Sequence, residues 1–117
     1  MKKLSVCLLV LFATLSLNAQ QSIEGIWNTG KENTKIEIKN DNSTIEGKIQ
    51  SSDNPKAPVG ELIVKDIQYK NGAYEGKLYA MKKKRWVDAI FTPQGDRLLI
   101  TVSVGRRSRK IEWSAAN

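Results

Sequence analysis

Carboxylates are the groups this sequence leaves for hydrolytic acid–base chemistry. It has no histidine, so the commonest general base and the commonest metal ligand are both missing. Two carboxyls about 5 to 9 Å apart could cleave a glycoside, and Asp88 is the candidate to supply one. It alternates with Trp86 and Ile90. If Trp86 faces a core, Asp88 faces it too and needs a cationic partner, a role open to Arg109. If Val87, Ala89 and Phe91 form the core face instead, Asp88 stands in water. This second register is preferred. No serine lies in a Gly-x-Ser-x-Gly turn, and no glycine-rich phosphate loop or calcium loop is present. No catalytic residue is assigned, and no metal or cofactor is expected.

The cations are more informative. The chain has 19 Lys and Arg against 12 Asp and Glu, a net charge of +7. Several gather in short polar stretches: Lys56, then Lys82-Lys83-Lys84-Arg85, then Arg106-Arg107. Such groups attract anions, and their use depends on whether the fold brings them to one place.

The first residues carry an address. Met1-Lys2-Lys3 is basic, Leu4 to Leu17 is uncharged, and Asn18-Ala19-Gln20 ends the apolar run. This is the layout of a secretory signal peptide, residues 1–19, with cleavage expected after Ala19. As a helix the 14-residue apolar run rises only about 21 Å, too short for a bilayer core of about 30 Å, so no transmembrane anchor is expected. Cys7 belongs to that run; cleavage beside it would leave no apolar segment for export. The mature chain, residues 20–117, has no cysteine and must be held by its core alone. It keeps a net charge of +5. The expected location is the periplasm or the exterior, where nucleic acid is not a partner.

The elements that must position these groups are strands. Thr34 to Lys39 alternates apolar and polar residues, as does Thr44 to Ile49, and no stretch shows a helical period. Eight strands are predicted: 23–28, 34–40, 43–51, 61–69, 73–80, 86–92, 97–104 and 109–114. Asn40-Asp41-Asn42, Lys70-Asn71-Gly72 and Pro93-Gln94-Gly95-Asp96 mark tight hairpins. Residues 52–60 form the one long loop. Gly47 and Gly76 fall within strands, at a bend of the wall or beside a ring. Eight strands in so short a chain favour an all-β, antiparallel up-and-down barrel, since closure removes both edges. A barrel of this size is filled by side chains or holds one small ligand.

Gly25-Ile26-Trp27 opening such a chain resembles the start of lipocalin-like (calycin) barrels. The resemblance implies that Trp27 plugs the closed end. It also implies that a basic residue of the last strand lies across the Trp. Arg109 fits, since it shares a face with Ile111 and Trp113, and Lys110 is its rival of opposite parity. A longer series runs in one order: Gly25-Ile26-Trp27, Ile36-Glu37-Ile38, Glu46-Gly47-Lys48-Ile49, Pro58-Val59-Gly60, Tyr74 to Tyr79, and a terminal Trp113. It resembles the exported bacterial family called domain of unknown function 2147. Two departures are plain. Ala80 to Arg85 replaces the Asp-Pro turn and later Gly-Lys of that family, and the last turn, Gly105 to Ser108, is shorter. The resemblance implies export and a lipocalin-like barrel, and brings no catalytic residues.

In a meander, links one, three, five and seven share an end. They hold Lys31, Lys56, Lys82, Lys83, Lys84, Arg85, Arg106 and Arg107 against Glu32 and Asp53, a surplus of six positive charges. The resemblance places the first link at the open end, so the basic end is also the expected mouth. The leading expectation is an exported binding protein. It would hold a small or anionic ligand there, or dock an anionic lipid or glycan surface. The alternatives are a solid-barrelled interaction or inhibitor module, and a carboxylate enzyme using Asp88. Gly25, Trp27, Arg109 and Trp113 are expected to serve the fold.

Overall fold

A computed structural model describes residues 21–116 of the 117. The expected leader, with Cys7, lies outside the described residues. The strands are β1 (Gly25–Asn28), β2 (Lys35–Asp41), β3 (Thr44–Ser51), β4 (Leu62–Lys70), β5 (Ala73–Ala80), β6 (Arg85–Gln94), β7 (Arg97–Val104) and β8 (Arg107–Ala115). Each pairs antiparallel with the next, and β8 returns to β1, so the sheet closes as an eight-stranded up-and-down barrel.

The period-two pattern explains the wall. Trp27 faces Ile36, Ile36 faces Ile49, and Ile38 faces Gly47. Tyr74 faces Phe91, Phe91 faces Ile100, and Ile100 faces Ile111. These rows turn inward, and the interior is apolar: Ile23, Ile36, Ile38, Ile49, Val64, Phe91, Leu98 and Ile100 are almost wholly buried, and no polar or charged residue is buried among the described residues. Burial of such side chains contributes about 1.5–3 kcal/mol each.

The two mid-strand glycines sit where the ladder slips. Between the pairs Lys65–Lys77 and Gln68–Glu75, β4 has two residues, Asp66 and Ile67, against the single Gly76 of β5. Asp66 takes a left-handed φ of 57° there. A Cβ on Gly76 would meet the Lys65 carbonyl oxygen at 2.8 Å, so only glycine lets this bulge close. Gly47 makes similar room for the Val64 side chain beside the β3–β4 slip. Neither glycine lies against a ring.

Chain order and alternation define two ends. The links 42–43, 71–72 and 95–96 lie at one end, here the base; 29–34, 52–61, 81–84 and 105–106 lie at the other, the rim. The segment before β1 crosses the base. The Tyr74 hydroxyl donates to the Gln21 carbonyl at 3.0 Å, and the Gln21 side chain donates to the Gly95 carbonyl at 3.0 Å. Ile23 is fully buried, and its carbonyl accepts from Trp27 Nε1 at 2.9 Å. The first strand therefore begins at Gly25 rather than Ile23; Gly25 has φ 138°, which breaks the strand and turns Ile23 into a plug.

Candidate anion-docking rim

The rim is built from tight turns that hold cations outward. In the link 81–84, the Lys83 amide donates to the Ala80 carbonyl at 3.1 Å and the Lys84 amide to the Met81 carbonyl at 3.3 Å. Lys84 ends the turn with φ 53°. Lys82, Lys83 and Lys84 are all exposed on this tip, and Arg85 follows as the first residue of β6. The long link 52–61 carries Lys56, whose amide is fixed by Asn54 Oδ1 at 2.9 Å. It folds back on β3 through Gly60 N–H to the Ile49 carbonyl, 2.8 Å. It is also tied to the first link: Asp53 N–H donates to the Glu32 carbonyl at 2.9 Å, and Asn54 Nδ2 to Glu32 Oε1 at 3.3 Å. Arg106 lies in the last link and Arg107 begins β8.

The strand register adds residues to this end. Arg85 opposes Ala80, Arg107 opposes Val104, and Arg109 opposes Val102, whose other neighbour is the buried Ala89. These three arginines therefore occupy inward-parity positions at the top of the barrel, yet all are exposed. Arg109 does not lie across Trp27, as the calycin analogy implied. Trp27 pairs with Ala115 at the base, six residues further along β8, which is about 20 Å of extended chain. Lys110 is equally remote. Trp27 is covered by Ile23 instead, while Trp113, opposite Leu98, completes the inner wall. The sequence could have warned of this: with only two residues after Trp113 in β8, an arginine six positions back cannot reach the base.

Asp88 is in the register that leaves it in water. Val87, Ala89 and Phe91 are buried, and the Asp88 side chain is 72% exposed. Its partner is Lys77, Nζ to Oδ1 2.5 Å, rather than Arg109. This contact holds the Lys77 proton and raises its pKa above the ordinary value. Asp66, Glu75 and Asp88 do line one depression of the outer wall. It is open to solvent.

Sequence reasoning missed an apolar feature beside the rim. Tyr79 and Trp86 oppose each other across β5 and β6, but on the outer face, with ring centroids 5.3 Å apart at 69°. Lys65 Nζ lies 4.3 Å from the Trp86 ring centre. With Pro58, Glu61, Leu62, Ile63 and Met81 they line a groove of about 420 Å³ whose one charged residue is Glu61. Met81 of this groove and Val59, next to Pro58 in the chain, are exposed, 44% and 59%. The preferred register, with Val87, Ala89 and Phe91 inward, turns Trp86 outward, and Tyr79 follows as its partner across the ladder.

Comparison of the chain with protein families, with curated proteins and with solved structures gives no match.

Proposed function

We propose that this chain is an exported, lipocalin-like docking module that seats its rim on an anionic lipid surface of the cell envelope. One observation carries the reading: Lys31, Lys56, Lys82, Lys83, Lys84, Arg85, Arg106 and Arg107 gather at a single end of the barrel with exposed Val59 and Met81 among them. Basic residues near an anionic leaflet contribute about 1 kcal/mol each, and apolar side chains between them enter the headgroup layer. The barrel interior argues against a ligand held inside. It is filled by isoleucine, valine, leucine and aromatic side chains, and among the described residues no polar or charged residue is buried there to orient a small molecule.

The test is co-sedimentation with vesicles of phosphatidylcholine containing about one third phosphatidylglycerol. The domain should bind these and ignore pure phosphatidylcholine, and binding should weaken steeply from low to physiological salt. Replacing Lys82, Lys83 and Lys84 by Glu should lower affinity by about tenfold or more. Binding that is unchanged by the triple substitution, or indifferent to salt, refutes the reading.

A further inference from the structure

The barrel is closed unevenly. β7 and β8 pair along their whole length, from Arg97–Ser114 to Val104–Arg107. β8 and β1 pair only at Trp27–Ala115 and Asn28–Ser114. One further bond, Ala116 N–H to the Ile26 carbonyl at 2.9 Å, extends this seam toward the base. Above Asn28 the chain leaves β8. The first link closes on itself through Thr29 N–H to the Thr34 carbonyl, 3.0 Å, and leans on the third link through Asp53 and Asn54. Among the described residues, none pairs with β8 on that side from Arg107 to Trp113.

The groups left open can be named. Backbone N–H and C=O groups in an antiparallel ladder point to alternate sides along a strand. Ala116 N–H points to β1, whereas Ala115 N–H points to the β7 side, donating to the Asp96 carbonyl at 2.7 Å. Even-numbered residues of β8 therefore address β1, and odd-numbered ones address β7. Above the closed seam, the even residues are Ser108, Lys110 and Glu112. Each offers one donor and one acceptor along a strand edge that no described residue pairs.

We infer that this edge of β8 takes up an extended, acidic segment of a protein partner as an added strand. Edge addition supplies affinity through main-chain hydrogen bonds and specificity through flanking side chains. Here the flanking side chains are Arg107 and Arg109 on one face and Lys110 on the other, all exposed. The one acid, Glu112, is engaged by Arg97. Cations on an edge repel a second copy of the same strand, because like charges would face each other across the new ladder. Glu or Asp at the facing positions turns the same charges into attraction. The occupant is thus a different chain with alternating acidic residues.

Amide hydrogen exchange, read by NMR on the whole domain, tests this directly. The probes are a seven-residue peptide of alternating Glu and Val and its Lys-and-Val counterpart. In the free chain the Ser108, Lys110 and Glu112 amides should exchange much faster than those of Arg109 and Ile111. The Glu peptide should slow these three amides by tenfold or more, and the Lys peptide should not. Lys110→Pro removes a donor that does not serve the β7 ladder, and should abolish the slowing. Should that variant unfold, Arg107→Glu with Arg109→Glu should abolish it as well. The Lys82, Lys83 and Lys84 to Glu variant should keep it, which separates this site from the lipid-docking surface. The inference is overturned if the three amides are already protected in the free chain, or if millimolar Glu peptide leaves them unchanged. It is also overturned if the slowing survives Lys110→Pro or the double charge reversal, or if the protection arises with self-association in sedimentation.

Discussion

Trp27 and Tyr74 show how single side chains fasten the base. Trp27 is nearly buried and spends its one donor on the Ile23 carbonyl. Trp27→Ala removes both ring and bond, and should cost about 3–5 kcal/mol in denaturant melts. A loss under about 1 kcal/mol would place Trp27 outside the core. Tyr74 ties the crossing segment through its hydroxyl to Gln21. Burial, then the Tyr69 and Glu24 charges, raise its pKa above the ordinary 10.0. The folded state thus disfavours the phenolate. The stability this confers is complete below the unfolded pKa, near 10, and is lost as pH rises through the raised folded value. Tyr74→Phe should cost about 1 kcal/mol at pH 7. It should also flatten the fall in urea midpoint above pH 10; an unchanged alkaline slope would contradict the assignment. At this scale the sequence was partly legible. Gly25-Ile26-Trp27 announced a large residue of the core, but not the Ile23 plug ahead of it. The Val87, Ala89 and Phe91 face gave Asp88 its solvated register, although Trp86 and Ile90 make both faces of that strand look apolar.

Strands were the most legible level, for a physical reason. A barrel wall with one dry face imposes alternation, and turn residues must interrupt it. The fifth and seventh strands begin and end where the pattern placed them, at Ala73–Ala80 and Arg97–Val104. Bulges were not legible, since an extra residue leaves no mark on a period of two except a glycine opposite. Gly76 is that mark. Gly76→Ala drives a Cβ into the Lys65 carbonyl, which cannot rotate away, and should cost about 1–3 kcal/mol. Gly47→Ala meets the Val64 side chain instead and should cost less. Urea midpoints of the two variants check the order; equal or reversed losses would mean that the bulge relaxes freely.

The whole molecule separates its duties by end. The base is plugged by Ile23 and closed by hydrogen bonds, whereas the rim gathers a cluster of cations with the exposed Val59 and Met81. The charge clusters were visible in sequence, and chain order alone predicts their common end. The open side of β8 was not visible, because it depends on where the first link, 29–34, turns away from β8.

The base also brings together two parts of the chain that lie far apart in sequence. Gln21 contacts Gly95, Ala115 donates to the Asp96 carbonyl, and Ala116 donates to Ile26. Both ends of the described chain therefore rest on one turn. A linker of about five glycine and serine residues should join them, allowing the polypeptide to be re-cut inside the long link 52–61. Such a circular permutant should fold to the same barrel, judged by the dispersion of its NMR amides. It would also display new termini at the rim while leaving β8 untouched. A permutant that stays unfolded would show that the order in which the hairpins form, and not the finished contacts alone, decides whether this barrel closes.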